Sequence, residues 1–359
     1  MVTPLTCWES VRGMTTSLVT IKHIADALGL AHTTVSRALN DHPQTSFETK
    51  LKVRETAKKL GYVANSGARL MRGGSSSLIG FIVPDVQNEF FNTVARSLAN
   101  QCARSGYQLT LGISEDDPDR EHQHVRSLME NRAQGVMIAP CGRSSPATRA
   151  LLVHLPNVQL LRFDPRVGNM SVCADDVGAV CEATRYLLSL GHRRIGFVGA
   201  HRDLSTGRSR IEGYRLALDE AGLPFDERLV RTGSTLPAFG HEAARDLLST
   251  NDELSALIVT SPRQVLGTLK ALREARVVVP DQISVIGYGD TEWFELTDPP
   301  TTGVSLPAQE MSEHATSLLF SLLGQKDGEL RPTHEAPSQL FKPSLIIRGS
   351  TAPLARIHR

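Results

Sequence analysis

The sequence predicts two unlike parts: a small all-α head, and an α/β body of two doubly wound parallel-sheet lobes. Three observations carry this. Residues 18–63 place their apolar side chains at helical spacing, short apolar runs alternate with amphipathic stretches from Leu78 onward, and the Gly/Ser-rich segment Gly73–Ser77 separates the two patterns. Short apolar strands separated by helices mark parallel sheets covered on both faces. Seven such runs over about 270 residues favour two lobes over one sheet. The length of 359 residues is ample for both parts, and 40% hydrophobic with 21% charged residues excludes a disordered, collagen-like or coiled-coil chain.

Residues 1–17 carry no period and read as a disordered arm, or as sequence ahead of a true initiator at Met14. The head follows over residues 18–63. Thr20 can cap a first helix whose stripe Ile21, Ile24, Ala25, Leu28 ends at Gly29, a residue suited to a left-handed cap. A second helix runs from His32 to Leu39 with Val35, Ala38 and Leu39 inward. Thr45 or Ser46 can cap a third, which buries Leu51, Val53, Ala57 and Leu60 and stops at Gly61. Residues 64–77 form a hinge and linker, with a short helix at Ser66–Met71 giving way to glycines and serines.

In the body, residues 78–351, strand-like runs are Leu78–Val83, Gln108–Ile113, Gly135–Ala139, Val158–Arg162, Ile195–Val198, Ala256–Val259 and Ile283–Gly287. Helical stretches between them include Phe90–Arg104, Arg120–Asn131, Val180–Leu190, Ser209–Ala221, Gly240–Leu248 and Val265–Ala275. One lobe is expected at about 78–173 and 304–330, the other at about 174–303 and 331–351, with a tail at 352–359.

The net charge of +1 hides an asymmetry: residues 1–74 hold ten Lys/Arg against five Asp/Glu, so the head region carries +5 and the remainder −4. That distribution suits an anionic partner for the head alone. The five cysteines, at 7, 102, 141, 173 and 181, show no CxxC or Cys/His ligand spacing. They read as free thiols in a reducing compartment, and neither a metal site nor a cofactor is expected. No apolar run reaches the ~18 residues of a membrane span, and the N-terminus lacks a signal-peptide core. A cytoplasmic chain with no membrane partner is expected.

The Gly-containing turn Leu28-Gly29-Leu30 between two short helices is what a helix-turn-helix requires. Its second helix presents His32, Thr33, Thr34, Ser36 and Arg37 outward. Short polar side chains there can reach base edges, and Arg37 can bridge guanine O6 and N7. The competing reading, a helical bundle whose polar face has no role, is disfavoured by the local +5 charge.

These residues, in order, resemble the LacI/GalR family of transcriptional repressors. The likeness is carried by Val19-Thr20-Ile21-Lys22-His23-Ile24-Ala25, Gly29, Thr34-Val35-Ser36-Arg37-Ala38-Leu39-Asn40, Glu48-Thr49, Gly61-Tyr62 and Asn65. It continues in Ile79 to Asp85, Asn88 with Phe90-Phe91, Gly191 to Ile195, Arg210 with Gly213-Tyr214, Val279-Pro280-Asp281 and Ser284 to Tyr288, and ends at Leu345 to Thr351. The resemblance implies two lobes like a type I periplasmic binding protein, a homodimer on a pseudo-palindromic double-stranded operator, and a small-molecule effector in the interlobe cleft. By the same mapping His32, Thr33 and Arg37 take base-reading positions, while Thr20, Thr34, Ser36 and Asn40 contact the DNA backbone or pack. Asn65, Arg69 and Met71 fall in a hinge that enters the minor groove, with Met71 as the wedge. Ala64 replaces a common Pro, Ala31 a usual capping Ser, and Gly67 interrupts the hinge, so a hinge that folds only on DNA is expected.

For the effector, the mapping gives Asp85, Asn88, Phe90, Phe91, Asp164, Thr206, Arg210, Ser261 and Asp290. Some have a plainer alternative: core for one phenylalanine, a structural ion pair for Arg210, and helix capping or loop fastening for Asp164, as for Asp175. Two departures stand out. Ser261-Pro262 occupies a place where the family commonly has Asn-Asp, and Gly289 one where an Asp grips sugar hydroxyls. A simple hexose is therefore a less safe expectation, and a modified sugar, a sugar acid using Arg210, another metabolite or no natural effector at all stay open.

Two other classes compete. An enzyme is disfavoured because no GxGxxG, GxxxxGK[ST] or GxSxG motif follows a strand, and His192 reads as a turn anchor. A small-molecule sensor without gene control is disfavoured by the head. The tail after Ser350 has no room for a tetramer-forming leucine-heptad helix.

Overall fold

The computed structural model describes residues 19–62, 76–167, 170–324 and 339–354. The expected arm at 1–17, the hinge residues Asn65, Arg69 and Met71, and residues 355–359 of the expected tail lie outside the described residues. The chain divides into two units at Gly74/Ser75, inside the expected linker.

The head has three helices, α1 (Ile21–Leu28), α2 (His32–Leu39) and α3 (Phe47–Leu60). Thr20 stands at the first N-cap in an extended conformation, its backbone N–H donating to His23 Nδ1 at 3.2 Å. Gly29 and Gly61 close α1 and α3 at φ of 63° and 70°, the left-handed region that favours glycine. Ala31 caps α2 without a side-chain bond, whereas Ser46 Oγ accepts the Thr49 N–H at 3.2 Å on α3. Ile24, Ala25, Val35, Ala38, Val53 and Ala57 form the core. The expected inward Leu51 and Leu60 are instead exposed, because Val53 and Ala57 already fill the narrow seam between α3 and the other two helices.

The body contains two six-stranded sheets. The first joins β1 (Leu78–Val83), β2 (Gln108–Ile113), β3 (Gly135–Ile138), β4 (Asn157–Leu160), β5 (Ser171–Ala174) and β11 (Gln339–Phe341), in the order β11-β5-β4-β3-β1-β2. The second joins β6 (Ile195–Ala200), β7 (Val230–Gly233), β8 (Ala256–Val259), β9 (Ser284–Tyr288), β10 (Thr302–Ser305) and β12 (Ser344–Ile346), in the order β12-β10-β9-β8-β6-β7. All ladders are parallel except β10 with β12.

Helices cover both faces. Those of the first lobe are α4 (Glu89–Arg104), α5 (Pro118–Glu130), α6 (Pro146–Leu152) and α11 (Ala308–Gly324), and those of the second are α7 (Asp176–Ser189), α8 (Ser205–Glu220), α9 (Pro237–Thr250) and α10 (Pro262–Glu274). Strand alternation decides what each face buries: Ile79, Phe81 and Val83 of β1 meet α4 and α11, while Ile82 joins the cluster of Val125, Leu128 and Leu152 on the other side. In the second lobe α9 and α10 approach so closely that a Cβ on Gly267 would lie 1.9 Å from the Pro237 carbonyl oxygen. Only glycine permits that crossing.

The chain passes between lobes three times: from β5 to α7, from β10 to α11, and from β11 to β12. This shifts the expected lobe limits. Ala174 and residues 339–341 belong to the first sheet, because β11 pairs with β5 (Leu340 with Cys173), and the second sheet keeps β10 through Ser305. Five strands (β5, β7, β10, β11, β12) were not expected from sequence. They are three or four residues long, and the first three include Ser, Thr or Gly, so they owe their state to pairing rather than to an apolar run.

Candidate functional site

Two regions gather the candidate residues, one in each unit. On α2 of the head, His32, Thr33 and Arg37 are exposed while Val35 and Ala38 are buried. The spacing of 33 to 37 puts Thr33 and Arg37 on the same face. These three side chains have no hydrogen-bond or ion-pair partner among the described residues. Asn40 Nδ2 donates to the Ser36 carbonyl at 2.7 Å, closing the helix end, and Thr34 and Ser36 are half-buried. On α3, Lys50 and Arg54 turn to Asp41 and Lys52 to Glu48. Lys22, Arg37, Lys58 and Lys59 have no ion pair among the described residues, so positive charge stays available.

In the body, a small cavity of about 40 Å³ lies at the carboxyl ends of the strands, where the two lobes face each other. Such convergence is where ligands of doubly wound sheets bind. Asp85, Asn88, Phe90, Phe91, Thr206, Arg210 and Ser261 line it. Asn88 Oδ1 accepts the Phe90 N–H at 3.1 Å, so this residue also caps α4. Phe90 and Phe91 meet edge to face, centroids 5.5 Å apart, and both are buried against the first-lobe core.

Arg210, 6% exposed, is the most constrained member. Its Nε donates to Asp176 Oδ1 at 2.8 Å, its Nη1 to the Thr260 carbonyl at 2.5 Å, and its guanidinium lies 3.8 Å from the centroid of the Tyr288 ring. Tyr288 in turn donates to the same Asp176 oxygen at 2.5 Å. Burial first, and the Asp176 carboxylate second, push the Tyr288 phenol well above its ordinary value, so it stays a donor. The structural ion pair and the cavity-lining position are thus both present in one residue.

Two expected residues lie off this cavity. Asp164 fastens its own loop, accepting the Arg166 N–H at 3.0 Å and pairing with Arg166 Nε at 2.8 Å; burial opposes its charge, but those bonds hold its carboxyl below the usual range. It lines a neighbouring opening beside Asp203 and Arg208. Asp290 accepts from Arg348 Nη1 at 2.5 Å and is drawn into the second lobe. In both cases an arginine of the same lobe claims the carboxylate.

Several cavity residues were not foreseen: Arg162, Arg263, Tyr288 and, behind them, Asp176. Arg162 ends the apolar run Val158–Arg162, and an arginine closing a buried strand was the available signal. It is 5% exposed and doubly bonded to Asp116, with Nη2 to Oδ2 at 3.2 Å. Arg263 crosses between lobes, donating to Gln87 and lying 3.5 Å from Asp85. Phe163 N–H to Ser205 Oγ at 3.0 Å and Arg143 to Asp203 at 2.8 Å add further interlobe contacts. The two sequence departures prove to be neighbours: Gly289 sits at φ 112°, and a Cβ there would lie 2.9 Å from Pro262 Cγ. His192, outside the cavity, is fully buried with Nδ1 3.0 Å from Ser255 Oγ and Nε2 3.0 Å from the Ala352 carbonyl, so it anchors a turn.

Comparison with known proteins gives a consistent picture. Residues 20–65 match the model of bacterial regulatory proteins of the lacI family, and residues 184–351 match a periplasmic binding protein-like domain. The chain is 30% identical over 342 residues to the HTH-type transcriptional regulator DegA of Bacillus subtilis, covering 93% of this chain and 98% of that one. It is 29% identical over 337 residues to the ribose operon repressor of Escherichia coli K12, covering 93% of this chain and 100% of that one. Among solved structures, a Lac repressor dimer bound to operator and the anti-inducer ONPF shares the fold at TM-score 0.78 and 22% identity, covering 93% of this chain and 99% of that one. A complex of the transcriptional regulator CelR with cellobiose aligns at TM-score 0.66 and 26% identity, over 92% of this chain and 99% of that one.

Proposed function

The chain belongs to the LacI/GalR family of DNA-binding transcriptional regulators, and from that premise we propose that it is a repressor. In this reading a homodimer grips a pseudo-palindromic operator and answers to a small molecule held between the two lobes of the body. The observation that carries the reading is the α2 face: among the described residues, exposed His32, Thr33 and Arg37 have no partner, and Lys22, Lys58 and Lys59 of the same head have no ion pair. Arg37 reads guanine, while Thr20, Thr34, Ser36 and Asn40 hold the phosphate backbone. Asn65, Arg69 and Met71 take the minor groove.

The cleft supplies the second half of the argument. Arg210, Thr206, Asn88 and Ser261 offer polar groups around an apolar wall of Phe90 and Phe91, the composition of a small-molecule site. Ligand in this position changes how the lobes meet, and through them the operator affinity. The operator-bound Lac repressor dimer and the cellobiose complex of CelR support both halves by analogy. No described helix is long and apolar enough to cross a membrane, and a cytoplasmic location accords with access to DNA.

Selection of genomic fragments by the full-length protein tests the proposal. A consensus of two inverted half-sites spaced by about one helical turn is expected. Enrichment of a sequence without two-fold symmetry, or no enrichment, contradicts it. Genes beside the recovered sites name the regulated pathway.

A further inference from the structure

Resting on the cleft reading above, we infer that the effector is a small organic anion, recognised through a carboxylate or phosphate group. The cavity wall offers more free donors than free acceptors. Among the described residues Arg210 Nη2 and Arg162 Nε donate a hydrogen bond to no protein oxygen, the Arg210 guanidinium resting on the Tyr288 ring. Arg263 Nε makes no hydrogen bond but is ion-paired with Asp85 Oδ2 at 3.5 Å, which occupies that carboxylate oxygen as well. The acceptors are mostly spent: Asn88 Oδ1 takes the Phe90 N–H, and Asp85 Oδ1 takes the Gln87 N–H at 2.8 Å.

Asp85 is the one acidic side chain lining the cavity among the described residues, against three arginines. Asp116 and Asp176 hold two of those guanidinium groups from behind and do not line it. Beside Arg263 and Tyr288 in the same lobe, Pro262 and Gly289 contribute no polar side chain, and a Cβ at 289 would meet Pro262 Cγ at 2.9 Å. A polyol needs acceptors for its hydroxyl protons, and the wall has few. A ligand oxyanion brings its own acceptors to N–H groups already oriented by Asp116 and Asp176, and bonds of that kind are charge-assisted.

The test uses the full-length protein with inorganic phosphate and, separately, acetate as probes, each titrated to about 50 mM at constant ionic strength with chloride as the balancing ion. The thermal unfolding midpoint of the body is the readout. At least one probe is expected to raise it saturably, and which one does so distinguishes phosphate from carboxylate recognition. The paired variant Arg162→Gln/Asp116→Asn, which removes donor and counter-charge together, is expected to weaken that binding about tenfold or more. If this pair does not fold, Thr206→Val removes one cavity hydroxyl at nearly constant shape and is expected to weaken the same probe severalfold. No saturable effect of either anion, or an effect the variants leave unchanged, overturns the inference. Retained binding to the selected operator in the same preparation shows that only the anion assignment has failed. Loss of operator binding by the unmodified chain would instead strike the regulator reading.

Discussion

On α2 His32, Thr33 and Arg37 are exposed without a partner among the described residues, whereas in the cleft Arg162, Arg210 and Tyr288 are buried and each is held by a carboxylate. Thr33 and Arg37 need only a helix to share a face; Arg210 needs Asp176 from α7, Thr260 after β8 and Tyr288 from β9. The first site is local in sequence and the second is assembled from distant segments. Substitutions on α2 should therefore change recognition while sparing the fold, and substitutions in the cleft should affect both.

The largest effect is expected at Arg210. Arg210→Ala leaves Asp176 buried without its cation, a loss of about 3–5 kcal/mol, read by urea unfolding of the body. A smaller cost, with normal unfolding, would mean that the cleft tolerates change as the α2 face does. Gly289→Asp comes next. A side chain at φ 112° that also meets Pro262 should cost about 1–3 kcal/mol, and Pro262→Ala in the same chain should recover part of it. Additive losses in the double variant would show that these positions are independent.

Arg37→Ala should lose about 1–3 kcal/mol of operator affinity and leave non-specific binding and stability nearly unchanged. Fluorescence anisotropy on operator and random duplexes checks this, and equal losses on both DNAs would remove Arg37 from base reading. His192 gives a pH test. Burial lowers its pKa, so the folded chain binds the proton less readily than the unfolded one. Stability is then full above the unfolded value of about 6.5 and falls as pH drops below it, by at most about 1.4 kcal/mol per pH unit, until the folded pKa is passed. His192→Gln should flatten that slope. The smallest change is a gain: Ala31→Ser supplies the cap α2 lacks and should stabilise the head by about 0.5–1 kcal/mol.

The same contrast explains what could be read in advance. The helices of the head follow from stripes and caps within a few residues of each other, and β1 matches its apolar run residue for residue. Short strands such as Ser171–Ala174 carry no such run, since their neighbours in the sheet define them. In the cleft, the family resemblance supplied nine candidate residues, and seven of them line the cavity. Asp164 and Asp290 went astray because an arginine two residues away captures one, and Arg348, distant in sequence, captures the other. Asp176 was hidden for the reverse reason: its role depends on Arg210 and Tyr288, far along the chain.

The most direct test of the central claim is a salt titration of the full-length protein on its selected operator and on a random duplex of equal length. The predicted result is a preference for the operator of about a thousandfold or more, with affinity for both DNAs falling steeply as salt rises. Weak binding that is equal on the two duplexes and flat with salt would contradict it.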